Sequence, residues 1–214
     1  MENLHDKRKV YDRSELLENQ IKQNPLEQFR DWYMEAGENP AISEANAMSV
    51  STLEEDGCPR TRIVLLKAYT YEGFIFYTNY ESRKGHSIET THKACLHFFW
   101  PNLERQIIIK TEVERLAENL SDGYFQSRPK GSQLGAVVSP QSQVIPNRNF
   151  LEENLKELEN KFEGKEVPRP ENWGGYLARP YEIEFWQGRP NRLHDRILYT
   201  LDDNFDWKIT RLAP

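Results

Sequence analysis

Cysteine is nearly absent: Cys58 and Cys95 are the only two in 214 residues, with no CxxC pair and no metal-ligand spacing. A disulfide scaffold and a structural zinc are thereby excluded, and the two read as reduced, structural thiols. Long apolar runs are missing as well. Nothing approaches the roughly 20 residues of a membrane-spanning helix, and mean hydropathy is −0.81. The opening Met1–Lys7 has no apolar signal core, so the expectation is a cytoplasmic protein with no metal and no membrane partner. Positive charge is not in surplus either. A formal net charge of −6 argues against nucleic-acid binding, which needs an excess of Lys and Arg over one face. No GxGxxG run and no internal repeat or low-complexity tract occurs, so neither a dinucleotide fold nor a solenoid is indicated.

What is present suits one compact domain: 37% hydrophobic and 12% aromatic residues supply a real core. Residues 1–13 are polar and read as a flexible arm ahead of a single domain over 14–214. The basic residues cluster although the chain is acidic overall. Arg60, Arg62 and Lys67 fall together, as do Arg83 with Lys84, Arg128 with Lys130, and Arg189 with Arg192 and Arg196. Focused basic pockets on an acidic protein suit small phosphorylated ligands.

Periodicity separates helices from strands. Ser14 reads as one helix cap and Asn24-Pro25 as another, after which Leu26, Phe29, Tyr33 and Ala36 recur at helical spacing until Gly37. From Ala45 the period becomes two. Strands are expected at 47–53, 60–68, 74–78, 94–100, 105–116, 175–187, 192–201 and 207–212, with a hairpin turn at Glu55-Asp56-Gly57. Helices are expected near 83–91, over 122–138 in two pieces broken at Pro129, and over 149–162. Consecutive hairpins without βαβ spacing indicate an antiparallel sheet or barrel.

Several stretches combine residues that carry chemistry. Ile183-Glu184-Phe185-Trp186-Gln187 alternates like a half-buried strand, and after Gly188 and Pro190 come Arg192, His194 and Arg196 at a spacing of two, hence on one face. Two guanidinium groups flanking an imidazole either enclose an anion or form a solvated edge paired to Asp195 and Glu184. Arg62 and Lys67 end an apolar strand, and being five apart they face one cofactor only across an edge or a bulge. Tyr77-Thr78-Asn79-Tyr80-Glu81-Ser82-Arg83-Lys84-Gly85 joins a strand end to a helix start, which makes it a phosphate cradle or an ordinary exposed helix start. Tyr124, Arg128 and Ser132 recur every four residues, reading as a convergent anion site or as a basic turn around Pro129. His97 reads as a sheet residue, and His5, His86 and His92 as surface groups.

The run I-E-F-W-Q-G-R-P-N-R-L-H-D-R at 183–196 closely resembles the signature of the pyridoxamine 5'-phosphate oxidase family, and further pieces of that pattern recur in order from Arg8 to Pro214. The resemblance implies a mainly β fold, an antiparallel FMN-binding split β-barrel with peripheral helices. It also implies a homodimer with FMN at the interface and a C-terminal region that serves dimerisation and the active site. The implied reaction is FMN-dependent oxidation of pyridoxamine 5'-phosphate and pyridoxine 5'-phosphate to pyridoxal 5'-phosphate, with dioxygen reduced to hydrogen peroxide. Cofactor contacts implied are Arg62, Ile63, Val64, Leu65, Leu66, Lys67, Tyr77, Thr78, Arg83, Lys84, Gln106, Gln141, Ser142, Trp186 and Arg196. Substrate contacts implied are Lys67, Tyr124, Arg128 and Ser132 at the phosphate, then Arg192, Leu193 and His194, with Arg8 and Tyr11 from the arm. Arg192 and His194 would be catalytic. The competing expectations are another flavoprotein of the same barrel group, such as a flavin reductase or a haem-degrading relative, and a non-catalytic binder of pyridoxal phosphate or flavin.

Overall fold

The computed structural model describes residues 2–214. Helix α1 (Pro25–Glu38) opens where the Asn24 side chain accepts the Leu26 N–H at 2.9 Å, with Pro25 in the first turn. It runs one residue past Gly37 and buries Leu26, Phe29, Trp32 and Ala36. No helix forms at Ser14. Its carbonyl instead accepts from Arg189, because no apolar repeat follows it to reward a helix.

Nine strands make one sheet in which every pairing is antiparallel. They are β1 (Ala47–Leu53), β2 (Pro59–Leu65), β3 (Ala68–Thr70), β4 (Gly73–Asn79), β5 (Lys93–Trp100), β6 (Arg105–Arg115), β7 (Trp173–Gln187), β8 (Asp195–Leu201) and β9 (Trp207–Leu212). The order is β2-β1-β5-β6-β7-β4-β3, with β8 and β9 continuing from the end of β7. The expected strand over 60–68 does not exist as one piece. It stops at Leu65: the Leu66 N–H donates to Asn46 beside β1, and the Lys67 N–H to Ile75 in β4. Two residues thus join the opposite ends of the sheet order, which forces the sheet to curl until its ends meet.

The inner face carries Leu96, Phe98, Ile107, Ile109, Ile183, Phe185, Ile197 and Tyr199, all buried in one core cluster with Phe29 and Trp32 of α1, which meet Phe98 and Phe185 edge-on. Five helices accompany the sheet: α1, α2 (Arg83–Thr91), α3 (Glu118–Ser127), α4 (Lys130–Val138) and α5 (Arg148–Lys161). Gly85 lets α2 begin tightly against β4, since a Cβ there would sit 1.9 Å from the Tyr80 carbonyl oxygen. Gly85→Ala is expected to lower stability by roughly 3 kcal/mol, about 6–12 °C in Tm for a chain of this size, read by calorimetry.

Candidate active site

Three clusters carry the chemistry. The first lies where β4 runs into α2. Ser82 caps the helix through the Gly85 N–H, and Lys84 Nζ donates to Thr78 Oγ1 (2.8 Å), Ser82 Oγ (3.1 Å) and Gln141 Oε1 (2.7 Å). Arg62 reaches the same region while donating to Val50 O and Thr52 Oγ1. Burial, then the Arg62 charge, pushes Lys84 down to about 8. Burial and Arg60 likewise lower Arg62. Two desolvated cations beside a helix N-terminus favour an anion. Arg83, exposed, pairs with Glu54 at 3.7 Å. Ser142 is exposed with a φ of 72°, and follows Gln141 in the loop after α4.

The second cluster is aromatic. Tyr77 stacks on Tyr124 at 3.9 Å and on Trp173 at 5.6 Å, space kept open by Gly175, whose Cβ would meet the Tyr77 ring at 2.8 Å. The Arg128 guanidinium lies 4.6 Å over Trp173. Pro129 ends α3 and leaves Arg128 extended at φ −75°, ψ 149°, so the side chain folds back on that stack. Its buried Nη1 has no hydrogen-bond partner, one of only two such side-chain atoms among the described residues. Burial lowers its pKa, and a desolvated cation with an open donor calls for an acceptor such as a phosphate oxygen. Ser132, in α4, is exposed and makes no side-chain hydrogen bond among the described residues, and Lys67 is exposed on the seam.

The third cluster corrects an expectation. Arg192, His194 and Arg196 do not share a strand face, because Pro190–Arg192 forms a single 3-10 turn in which Asn191 and Arg192 take φ of 57° and 63°. Only Arg196 lies in β8, gripped by Glu184 at 2.8 and 3.0 Å. His194 folds instead against Trp186, with ring centroids 4.6 Å apart, and its Nδ1 accepts the Arg189 N–H at 3.1 Å. Burial, then Arg192, lowers its pKa. Tyr11 of the arm packs edge-on to both rings at 5.8 Å, whereas the side chain of exposed Arg8 donates to the His5 carbonyl. Gln106, paired in register with Trp186, is held by His97 Nε2 at 3.1 Å. Arg192 and Leu193 are exposed, the latter at 69%, and on β2 Ile63 is 66% exposed beside half-buried Val64 and Leu65 and buried Leu66.

Sequence reading missed Trp173, the platform for Arg128. Its signal was the Trp-Gly-Gly step at 173–175, a bulky ring followed by two residues without side chains.

An antiparallel barrel closed by a short seam, with a helix-start anion cradle on its flank, defines the class of FMN-binding split-barrel flavoproteins. A solved FMN-binding protein from Nostoc punctiforme, described as related to pyridoxamine 5'-phosphate oxidase, shares that fold at TM-score 0.71 and 15% identity, covering 91% of this chain and 100% of its own. The crystal structure of PhzG from Burkholderia lata, in complex with tetrahydrophenazine-1-carboxylic acid, superposes at TM-score 0.86 with 29% identity over 93% of this chain and 98% of its own. Residues 35–162 match the family described as Pyridoxamine 5'-phosphate oxidase, and 173–214 the Pyridoxine 5'-phosphate oxidase C-terminal dimerisation region. Pyridoxine/pyridoxamine 5'-phosphate oxidases of Flavobacterium psychrophilum and Salinibacter ruber are 59% and 50% identical, each over 100% of both chains. The chain belongs to the pyridoxamine 5'-phosphate oxidase family.

Proposed function

We propose that this protein oxidises pyridoxamine 5'-phosphate and pyridoxine 5'-phosphate to pyridoxal 5'-phosphate, using FMN as cofactor and dioxygen as final acceptor. One observation carries the reading: the chain builds two separate sites that favour anions, one for each phosphate the reaction brings together. FMN, when bound, takes up the substrate's two electrons and passes them to dioxygen, forming hydrogen peroxide.

Arg62 and Lys84 hold the cofactor phosphate, with Thr78, Arg83, Gln141 and Ser142 completing its cradle, while Tyr77 and the 63–67 stretch border it. Gln106, Trp186 and Arg196 bound its ring. Tyr124, Arg128, Ser132 and Lys67 receive the substrate phosphate. Arg192, Leu193 and His194, under Tyr11 and Arg8, hold the reacting end. Because His194 Nδ1 accepts a backbone N–H, a neutral ring carries its proton on Nε2 and offers the substrate a donor, which makes it an orienting group.

A homodimer is supported by the match of residues 173–214 to a dimerisation region. Trp173 and Trp186 lie at opposite ends of the 15-residue β7, about 40 Å apart along the strand at roughly 3.3 Å per residue. The Arg128 and His194 clusters therefore meet on one small substrate when two copies each contribute one of them, with FMN at their interface. Among the described residues no helix is long and apolar enough to cross a membrane.

Anaerobic addition of pyridoxamine 5'-phosphate to the yellow holoenzyme should bleach the flavin band near roughly 450 nm, and air should restore it. A yellow protein that stays unbleached would sink the oxidase reading. Arg192→Met is expected to lower kcat at least about tenfold while FMN remains bound; unchanged turnover would remove Arg192 from the reacting end.

A further inference from the structure

Glu104 belongs to none of the residue sets above, yet it is among the most heavily committed carboxylates in the chain. It precedes β6 with a φ of 56°, a left-handed conformation unfavourable for any residue with a Cβ. Its carbonyl compensates by accepting the Gly188 N–H at 2.7 Å and Gln187 Nε2 at 3.2 Å. That twist turns the side chain, 4% exposed, toward the arm. There Oε1 pairs with Lys9 Nζ at 3.0 Å and Oε2 accepts the Arg13 N–H at 3.1 Å. The two partners stand two residues before and two after Tyr11. One carboxylate thus grips the arm on both sides of the ring that covers Trp186 and His194.

Gly188 completes the seat, since a Cβ there would lie 2.8 Å from Tyr11 Cγ and 3.1 Å from Glu104 Cβ. Beyond Arg13 the chain is tied again, by Asp195 accepting the Leu16 N–H at 3.0 Å and by Arg189 pairing with Glu15 at 3.1 Å. Those ties lie on the far side of Tyr11 from Lys9. Only Glu104 bridges the ring.

We propose that Glu104 is a positioning residue, a clasp that seats Tyr11 over the substrate-facing side of the His194–Trp186 pair and thereby sets substrate affinity. This rests on the reading of His194 and Tyr11 as substrate contacts. Lys9 supplies charge to the clasp and Arg13 supplies a backbone donor, so Glu104→Gln keeps one contact and weakens the other, whereas Glu104→Ala removes both.

The test uses FMN-loaded protein and two independent readouts. Trypsin cuts after Lys7, Arg8, Lys9 and Arg13, and mass spectrometry follows release of the arm. Cleavage after Arg13 is expected to rise about tenfold in Glu104→Ala, with Glu104→Gln between it and the parent. In steady-state assays with pyridoxamine 5'-phosphate, KM is expected to rise about tenfold with kcat changing less than about threefold and FMN content unaltered. In a Tyr11→Ala background the same substitution should add nothing, because the ring it seats is gone. A rise in KM equally large with and without Tyr11, or an arm no easier to cleave, would overturn the clasp. Lys9→Met provides the second variant should Glu104→Ala fail to fold. It breaks the exposed half of the clasp without touching the barrel and should move both readouts in the same direction. Absence of oxidase activity in the parent would refute the underlying functional reading, and the cleavage experiment would still decide whether Glu104 holds the arm.

Discussion

Arg128→Ala is expected to raise KM for pyridoxamine 5'-phosphate by about 100- to 1,000-fold, leaving FMN affinity unchanged. The free protein holds this guanidinium desolvated on Trp173 with Nη1 unpartnered. In the proposed function the substrate phosphate would accept from that open donor. Charge-assisted hydrogen bonds contribute about 1.5–3 kcal/mol each, so losing two near the lower end of that range costs roughly 3–4 kcal/mol, two to three decades at about 1.4 kcal/mol per decade. Stability should respond differently. Removing an unpaired buried cation relieves a desolvation cost that partly offsets the lost packing on the indole, so Tm should move by only a few degrees. Steady-state kinetics with a thermal melt separate the two effects, and an unaltered KM would take the substrate phosphate away from this cluster.

Lys84→Met is expected to weaken FMN binding by about 100-fold, measured by quenching of flavin fluorescence. The pH dependence has a definite sign. Burial and Arg62 hold Lys84 at about 8 in the free protein, whereas a bound phosphate, doubly charged above about pH 6, draws that value back up. Binding above pH 8 must therefore be accompanied by proton uptake. FMN affinity should be full below about pH 8 and fall as the pH rises from there toward the raised value of the complex. Lys84→Met should flatten that decline, and a parent protein whose Kd is constant from about pH 7 to 10 would refute the assignment of Lys84.

The hairpins were legible because alternation reports a half-buried strand locally, and β1, β4, β5 and β6 lie within a residue or two of where the pattern put them. What alternation cannot report is which neighbour a strand pairs with. Ile63-Val64-Leu65-Leu66 reads on smoothly into Lys67, yet the backbone exchanges β1 for β4 between Leu66 and Lys67. The Arg192, His194 and Arg196 spacing misled for a related reason: counting by two presumes extended backbone, and two left-handed residues at 191 and 192 interrupt it. Asn191 tolerates that conformation well, a hint the sequence did offer. The aromatic platform under Arg128 joins residues 77, 124, 128 and 173, contacts made only through the fold. Gln106 and Gln141 stood out in the sequence only through the family resemblance, and their partners, His97 and Lys84, are brought to them by the fold.

Strand β7 pairs with β4, β6 and β8, yet it begins only at Trp173. On the ribosome, β1, β2, β5 and β6 can zip together as soon as they emerge, but β4 and β6 must each wait with an open edge through α3, α4 and α5 until the last fifth of the chain arrives. Such edges invite pairing with other chains. A nascent chain stalled before Trp173 is thus a sticky, incomplete barrel, and release of the C-terminal segment is the moment at which the protein becomes both closed and safe.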